Sequence, residues 1–229
     1  DTVAEFPQVC LHTLVARQAA RTPHRAAVEF NGREITYHQL DQQANRLANY
    51  LLRKGLQPGS IVALFLPRSE KCIVAELAIL KTGCTFMPLE ITLPAERLST
   101  ILADAAPAVI LASAGSAVRI PESYRPVCTD IDSREIDTCS SNPPETGIDP
   151  DARCFLMYTS GSTGKPKGVL NVHRGVINYL TYMVRTFHFN HQDRLLQHTA
   201  LSYDASVFEI FSMLLCGGAV VMLDEDHMS

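Results

Sequence analysis

The sequence predicts a doubly wound α/β fold, in which helices cover both faces of a mostly parallel sheet. Short apolar runs with strand-like composition alternate with longer segments whose apolar residues recur every three or four positions. Turn-forming residues separate these segments, and no repeat of fixed length occurs. A chain of 229 residues that is 46% hydrophobic and 19% charged can also bury a sizeable core. Such alternation is typical of parallel strands joined by crossover helices.

The residue pattern of the N-terminal segment predicts a helix followed by a β-hairpin. One helical face is formed by Leu11, Leu14, Val15, Gln18 and Ala19. Pro23 stops this helix, and residues 26–30 have the apolar composition of a strand. Asn31 and Gly32 follow, and this dipeptide favours a tight two-residue hairpin turn.

A second helix is predicted from both of its ends. Thr36, followed three residues later by Gln39, has the pattern of a capping box. An apolar stripe then runs through Leu40, Ala44, Leu47, Ala48 and Leu51. Gly55 ends the helix after Arg53 and Lys54, which suit the negative end of its dipole. Because residues 35–40 are explained as the start of this helix, we assign them no catalytic role.

The alternation continues through the middle of the chain. Residues 61–66, 84–87 and 108–112 have the composition of buried strands. Residues 70–81 have a helical pattern, and Pro94 suits the first position of a further helix. These segments predict parallel strands with helices between them.

Periodicity is lost from 113 to 153, where we expect a partly irregular connector within one unit that spans residues 1–229. The run at 140–147, rich in serine, asparagine and proline, indicates an exposed loop. Beyond the connector, the sequence predicts strands at 154–158, 194–197 and 219–223 and helices at 173–187 and 207–216.

Residues 158–168 gather hydroxyl side chains, glycines and two lysines directly after a predicted strand. Ligands of open α/β sheets bind at this end of the strands. Glycines let successive N–H groups turn toward one anion, and the hydroxyls and Lys167 add donors. A Walker A loop does not fit, because no glycine followed by lysine stands five positions after Gly161 or Gly164. A flexible connector is the other interpretation, although connectors seldom carry two lysines around a proline.

Four segments together resemble the adenylate-forming enzymes, the superfamily of acyl-CoA synthetases, luciferases and adenylation domains of nonribosomal peptide synthetases. Residues 159–168 are similar to their phosphate loop. Residues 35–40, 80–90 and 202–209 resemble the first, second and fourth core motifs of the peptide synthetase branch, in family order. The resemblance covers nearly the whole chain. It implies the flavodoxin-like layered sheets of this superfamily, of which the chain would form the N-terminal portion.

The resemblance implies ATP and Mg²⁺ as cofactors. It also implies that the β- and γ-phosphates are held by the backbone N–H groups and hydroxyls of Thr159, Ser160, Gly161, Ser162, Thr163 and Gly164. Lys167 would steady the phosphates or the loop, and the Thr159 hydroxyl would face the Mg²⁺ ion. Thr159 and Lys167 are thus the expected catalytic residues.

Asp204 is the second informative residue, because a carboxylate just before an apolar helix would face a largely apolar site. Its position alone also suits a helix N-cap, so two interpretations are open. In the amino-acid-activating branch the aspartate of this motif binds the α-ammonium of the substrate, and the resemblance implies this role for Asp204. It also implies that Tyr203, Ala205 and Phe208 belong to the substrate pocket. The small and aromatic residues favour an aliphatic amino acid such as valine or isoleucine.

The implied reaction is adenylyl transfer by a ligase. A substrate carboxylate attacks the α-phosphate of ATP, pyrophosphate leaves, and the aminoacyl adenylate passes its acyl group to a carrier-protein phosphopantetheine thiol. Peptidyl carrier and condensation domains are the expected partners. The family's adenine-binding segments and its small C-terminal domain are absent from the sequence, so we expect the isolated chain to be inactive. Two other hypotheses stay open: an acyl- or aryl-CoA ligase, and an inert or merely binding fragment.

Composition argues against several other classes. A net charge of −4 with scattered basic residues indicates neither a nucleic-acid nor an anionic-membrane partner. The seven cysteines include no CxxC pair, which suits a reduced cytosolic chain. The sequence lacks a signal-peptide pattern and an apolar run of membrane-spanning length, so we expect a cytoplasmic protein. The eight histidines show no spacing typical of a metal site, and we assign none of them as a ligand.

Overall fold

A computed structural model of the chain describes residues 4–124, 126–130, 132–159 and 165–224. Its helices are α1 (Leu11–Arg21), α2 (Tyr37–Arg53), α3 (Glu70–Lys81), α4 (Ala95–Ala105), α5 (Ala114–Ala117), α6 (Ser133–Asp137), α7 (His173–Thr186) and α8 (Asp204–Cys216). Its strands are β1 (Ala26–Phe30), β2 (Arg33–Thr36), β3 (Ile61–Phe65), β4 (Thr85–Pro88), β5 (Val109–Ala112), β6 (Val127–Cys128), β7 (Arg153–Thr159), β8 (Lys167–Val172), β9 (Arg194–Leu196) and β10 (Ala219–Met222). Among the described helices, none is long and apolar enough to cross a membrane.

The strands form two sheets, which confirms the predicted α/β class. The smaller sheet has the order β2-β1-β10-β9, and the larger one has the order β6-β5-β3-β4-β7-β8. Neighbouring strands are parallel except in the pairs β1–β2 and β7–β8, which are antiparallel hairpins. At the first hairpin, Asn31 and Gly32 both have positive φ, 49° and 77°, as the predicted two-residue turn requires.

Helix α3 lies between the two sheets. It contacts β1 of the smaller sheet and β3 and β4 of the larger one. All residues from Cys72 to Lys81 are buried, so this helix needs no polar face, and this stretch is apolar apart from Glu76 and the terminal Lys81. The main core of the molecule is this helical layer. On the other face of the larger sheet, Leu98 and Leu102 of α4 pack into a second, smaller core.

Both ends of α2 are as predicted. The Thr36 hydroxyl accepts a hydrogen bond from the Gln39 N–H (3.2 Å), and the Gln39 side chain accepts one from the Thr36 N–H (2.9 Å). Gly55 has a φ of 92°, and the N–H of Leu56 donates to the carbonyl of Leu51 (3.1 Å), which closes the C-terminal cap. The capping box confirms the structural explanation of the first motif.

Tyr37, in the same motif, has a structural role that sequence reasoning missed. Its ring is fully buried, and its hydroxyl lies within hydrogen-bond distance of the carbonyl oxygens of Gly218 (2.8 Å) and Met213 (3.1 Å). These carbonyls lie in the last turn of α8 and just beyond it. Burial raises the pKa of this phenol, so the hydroxyl stays protonated as a donor. Tyr37 therefore ties the start of α2 to the end of α8.

The expected connector, 113–153, contains the short elements α5, β6 and α6. Two amide side chains of α2 hold its irregular part. Asn45 donates to the carbonyl of Ser141 (2.9 Å), and Asn49 donates to the carbonyls of Ser140 and Asn142 (both 2.9 Å). The two amide groups thus provide hydrogen bonds to backbone carbonyls that, in a strand, would pair with a neighbouring strand.

Several element boundaries differ from the prediction, among them the starts of α8, α4 and β8. Helix α8 begins at Asp204 rather than at 207, because Tyr203 is its N-cap. Pro94 is the N-cap of α4 rather than its first residue. Strand β8 begins at Lys167, although the sequence predicted a loop that continues to Gly168. Since β8 is an edge strand with exposed residues on both faces, no alternation of apolar and polar residues marks it.

Candidate functional site

The predicted phosphate loop connects β7 to β8. Strand β7 ends at Thr159 and β8 begins at Lys167, and these two residues are paired in the antiparallel ladder. The Thr159 hydroxyl donates to the Lys167 carbonyl oxygen at 3.5 Å, and both residues are exposed. The other predicted loop residues lie outside the described ranges: Ser160, Gly161, Ser162, Thr163 and Gly164. The hairpin therefore holds the two ends of the loop close together.

Gly168 lacks a side chain, and this allows the β7–β8 hairpin to pack closely next to the loop. It is paired with Tyr158, and a Cβ atom at Gly168 would lie 2.9 Å from Cδ1 of Leu156 and 3.3 Å from Cζ of Tyr158. The Tyr158 hydroxyl in turn donates to Oδ2 of Asp104 on α4, at 2.6 Å. Burial and this neighbouring carboxylate raise the pKa of Tyr158, so the phenol remains a donor. The close approach fixes the hairpin against α4.

A cavity of about 450 Å³ opens where β4 and β7 end. Its lining includes Thr159 from the end of β7 and Tyr203 and Asp204 from the start of α8. Glu90 and Arg97 contribute opposite charges to it. The apolar part of the lining includes Leu89, Leu93, Ile101, Phe155, Met157 and Val169. The structure thus brings residues of the phosphate loop and of the fourth motif to one cavity, at the edge where α/β sheets bind ligands.

Asp204 is the first residue of α8, and the N-cap of this helix is Tyr203. The N-cap alternative is therefore not observed. A carboxylate in the first turn of a helix is still favourable, because the helix dipole is positive there. Within the described residues the Asp204 carboxylate has no hydrogen-bond or ion-pair partner, and the residue is exposed in the cavity lining. The carboxylate is thus available to a cationic group of a ligand.

Three charged side chains hold the segment that leads into α8. Arg68, which follows β3, donates to the carbonyl of Thr199 (3.0 Å). Glu209 of α8 accepts hydrogen bonds from the Thr199 N–H (3.1 Å) and hydroxyl (2.6 Å). Glu90, which follows β4, accepts one from the N–H of Ser202 (3.2 Å). Sequence reasoning missed these residues, although the charges of Glu90 and Glu209 inside two quoted motifs were an available signal.

Ala205 and Phe208 lie on α8 but are not among the described residues that line the cavity. Ala205 is exposed. Phe208 is half-buried in a cluster of aromatic rings, with ring centroids 6.0 Å from Phe187, 6.1 Å from Phe189 and 6.4 Å from Tyr179. Their contribution to a substrate pocket stays a prediction. The exposed Lys167 is likewise absent from the described lining of the cavity.

Three potential metal ligands approach each other outside this cavity. One ligand atom each of Cys10, His12 and His173 lies within 4.8 Å of the other two, a cluster that sequence spacing did not reveal. Nδ1 of His173 accepts a hydrogen bond from the N–H of Leu11 (3.2 Å). Burial lowers the pKa of His12 to about 3 and that of His173 to about 4, so both rings are neutral. Because α1 and α7 both begin here, their positive ends disfavour a cation, and we assign the cluster a packing role.

Comparisons with known proteins identify the family of the chain. A family profile described as "AMP-binding enzyme" matches residues 15–229. The chain is 35% identical over 228 residues to malpinin synthetase of Mortierella alpina, and this match covers 99% of the chain and 3% of that protein.

Two solved structures carry the same fold. The nonribosomal peptide synthetase FmoA3 matches with a TM-score of 0.89 at 32% identity, over 97% of this chain and 23% of that one. FmoA3 has also been solved in AMPPNP-bound and alpha-methyl-L-serine-AMP-bound forms. The Klebsiella oxytoca NpsA N-terminal subdomain matches with a TM-score of 0.85 at 27% identity, over 95% of this chain and 56% of that one. That subdomain has also been solved in complex with 3-hydroxyanthranilyl-AMSN.

The chain spans only a small part of the proteins that it matches, 3% of malpinin synthetase and 23% of FmoA3. The matching part includes the hairpin that carries the phosphate loop and the cavity at the start of α8. The chain therefore belongs to the AMP-binding, adenylate-forming enzymes and corresponds to the N-terminal part of a nonribosomal peptide synthetase adenylation domain.

Proposed function

We propose that the protein containing this chain activates an α-amino acid. It would convert ATP and the amino acid to an aminoacyl adenylate and pyrophosphate, and the acyl group would then pass to a phosphopantetheine thiol. The observation that carries this proposal is the single cavity that Thr159 of the phosphate loop shares with Asp204. The AMPPNP-bound and alpha-methyl-L-serine-AMP-bound forms of FmoA3 support it, because that relative binds a nucleotide and an aminoacyl adenylate.

The phosphate-loop hairpin would position ATP. Hydroxyls and N–H groups along 159–164 would donate to the β- and γ-phosphate oxygens, and Lys167 would add positive charge. The Thr159 hydroxyl lines the cavity and would offer Mg²⁺ a hard oxygen ligand. When bound, this ion neutralises phosphate charge. The chain's own contribution is to hold the α-phosphate in line with the substrate carboxylate.

Asp204 would select for the amino group. Its unpaired carboxylate would accept hydrogen bonds from the α-ammonium, and the adjoining apolar lining would contact the side chain of the substrate. Tyr203 borders the same space, while Ala205 and Phe208 would complete the pocket from α8. We infer an aliphatic substrate from the apolar character of this lining.

Peptidyl carrier and condensation domains are the proposed partners of the parent protein. The much longer relatives support this assignment, since the matched part is a small fraction of their length. The phosphopantetheine group would be carried by the carrier domain. A cytoplasmic location agrees with seven cysteines that are all free thiols.

A second candidate function is the activation of an aryl or acyl acid. The complex of NpsA with 3-hydroxyanthranilyl-AMSN favours it, because that relative binds an aryl group. Such a substrate has no α-ammonium, and Asp204 would then have no charged partner in the site. The two candidates therefore differ in their need for Asp204.

Amino-acid-dependent ATP–pyrophosphate exchange tests the proposal. The full-length protein should exchange pyrophosphate with a small set of aliphatic amino acids and only weakly with their deaminated analogues. Exchange with an aryl or acyl acid and none with amino acids would establish the second candidate. If the full-length protein binds ATP but exchanges pyrophosphate with neither class of substrate, its role is binding alone, and the proposed function is wrong.

A further inference from the structure

Residues 197–203 connect β9 to α8, and we call them the β9–α8 segment. The segment contains neither helix nor strand, yet its last two residues, Ser202 and Tyr203, line the cavity of about 450 Å³ beside Asp204. Because no regular ladder of hydrogen bonds fixes this backbone, side chains must satisfy its peptide groups. The position of Asp204 therefore depends on the side chains that hold the segment.

A cation and an anion bind complementary groups of the segment. Arg68 can only donate hydrogen bonds, and its guanidinium donates to the carbonyls of Gln197 (2.8 Å) and Thr199 (3.0 Å). The Glu209 carboxylate can only accept them, and it accepts from the N–H (3.1 Å) and the hydroxyl (2.6 Å) of Thr199. Thr199 is thus held through its acceptor by the cation and through its two donors by the anion.

The Gln197 side chain joins the two charged groups and is fully buried. Its Oε1 accepts a hydrogen bond from Arg68, and its Nε2 donates to Oε2 of Glu209 (3.0 Å). Nε2 also donates to the carbonyl of Thr199. Because removal of one member leaves the buried polar groups of the others without partners, the four residues act as one network.

The network holds the cavity wall from outside the cavity. Arg68 follows β3 of the larger sheet, and Glu209 belongs to α8. Among the described residues that line the cavity, neither Arg68, Gln197 nor Glu209 is found. These side chains can therefore influence a ligand only through the backbone that they hold.

We propose that Arg68, Gln197 and Glu209 are positioning residues that hold Asp204 where it binds the substrate ammonium; this inference rests on the proposed function. They contact no reacting atom and transfer no proton. Glu209 and Asp204 belong to the same helix, so the acid that fixes the helix to the segment and the acid that meets the substrate share one rigid element. The network sets the affinity for the amino acid and leaves that for ATP, which the β7–β8 hairpin positions, unchanged.

Substitutions at Thr199 test the network without changing its charges. Thr199→Val replaces the hydroxyl that donates to Glu209 with a methyl group of similar size. In ATP–pyrophosphate exchange by the full-length protein, it should raise the KM for the amino acid about 10-fold, because a hydrogen bond to a charged group is lost. The KM for ATP should stay unchanged, and Thr199→Ser, which keeps the hydroxyl, should restore the KM for the amino acid.

Thr138→Val is the matched control. The Thr138 hydroxyl also donates a hydrogen bond, to the carbonyl of Glu135 (2.7 Å), but the residue does not line the cavity. This variant should leave both KM values unchanged. If Thr199→Val behaves like Thr138→Val while the unsubstituted protein activates amino acids, the positioning role is wrong and the proposed function stands.

A double-mutant cycle with Asp204→Ala shows whether the network acts through Asp204. If it does, Thr199→Val should lower kcat/KM for the amino acid far less in the Asp204→Ala background, since the group to be positioned is gone. Equal effects of Thr199→Val in both backgrounds would overturn the proposal. An equal rise in the KM for ATP would also overturn it, because the network would then only stabilise the fold.

Hydrogen exchange, measured by mass spectrometry on peptides that cover residues 197–203, gives a readout that is independent of activity. The segment should exchange faster in the Thr199→Val variant than in the unsubstituted protein and the Thr199→Ser variant. Unchanged exchange would mean that the network does not hold the segment, and the proposal would be wrong. If the unsubstituted protein activates no amino acid, the proposed function fails, and this measurement still decides whether the network holds the segment.

Discussion

Asp204 is the residue on which the choice of substrate depends. We predict that Asp204→Ala in the full-length protein costs amino-acid activation roughly 2–5 kcal/mol, because the substrate ammonium loses its charged partner. Activation of a deaminated analogue should fall much less. ATP–pyrophosphate exchange with both substrates, measured side by side, gives the comparison. Equal losses for the two substrates would instead favour an acyl or aryl acid as the natural substrate.

The stability of the Asp204→Ala variant serves as a control. Because Asp204 is not the N-cap of α8 and its side chain has no hydrogen-bond partner among the described residues, its removal should change the free energy of unfolding only through the helix dipole, by about 0.3–1 kcal/mol. Thermal unfolding of the variant measures this change. A large decrease in the unfolding temperature would mean that Asp204 has a structural role.

Lys167 and Lys165 allow a comparison of two neighbouring cations at the end of the phosphate loop. Lys167 is paired with Thr159 at the start of β8, whereas Lys165 precedes the strand. We predict that Lys167→Ala weakens exchange by roughly 1.5–3 kcal/mol through the loss of a charged contact to phosphate or loop. Lys165→Ala is the control and should have a smaller effect on kcat/KM. Equal effects of the two substitutions would mean that only the summed charge matters.

A substitution at the N-cap of α2 tests whether the capping box stabilises the fold. Thr36→Ala removes the hydroxyl that accepts the Gln39 N–H, and we expect a loss of about 0.5–2 kcal/mol. Ser69→Ala is the matched control, since Ser69 is the N-cap of α3 without a capping side-chain hydrogen bond. Native-state hydrogen exchange of the amides in α2 and α3 measures both effects. Equal losses at the two caps would contradict the assigned role of the Thr36 hydroxyl.

The β7–β8 hairpin is the element that carries the phosphate loop. Gly168→Ala would place a methyl group 2.9 Å from the buried Leu156 side chain, and we expect overpacking to cost about 1–3 kcal/mol. MgATP binding should weaken as the hairpin shifts. Gly147→Ala is the control, because a Cβ atom there would meet nothing within 4 Å. A Gly168→Ala variant with unchanged stability and MgATP binding would show that Leu156 can move aside freely.

The helical layer between the two sheets, which forms the main core of the molecule, contains a buried acid. Burial raises the pKa of Glu76 to about 8, and its Oε2 has no hydrogen-bond partner within the described residues. The unfolded chain ionises this carboxyl at a lower pH than the folded one does. The free energy of unfolding should therefore fall as the pH rises from the ordinary pKa of glutamate toward 8.

Glu76→Gln should remove this pH dependence. Its stability relative to the unsubstituted protein should increase between pH 5 and 8, by at most about 1.4 kcal/mol per pH unit. Urea unfolding at several pH values measures the difference. Glu122→Gln, at an exposed position, is the control and should leave the pH dependence unchanged. Parallel pH curves for Glu76→Gln and the unsubstituted protein would mean that Glu76 titrates alike in the folded and unfolded states.

Features that depend on neighbouring residues could be predicted from the sequence. The capping box of Thr36 and Gln39, the turn at Asn31 and Gly32, and the helix at 70–81 were all predicted and are all observed. Each depends on backbone dihedral angles and hydrogen bonds within a few residues, so local sequence is sufficient. The order of the motifs likewise pointed to the adenylate-forming family, which the family match confirms.

The residues that meet in one site from distant parts of the chain became known from the three-dimensional structure. It brought Thr159, Arg97 and Asp204 to one cavity and placed the Tyr37 hydroxyl against the carbonyls that end α8. It also paired Lys167 with Thr159 in an edge strand that has no apolar pattern. These contacts form when the sheets and the helical layer pack together. Since packing joins residues far apart in the chain and leaves no periodic signal along it, the sequence alone could not specify them.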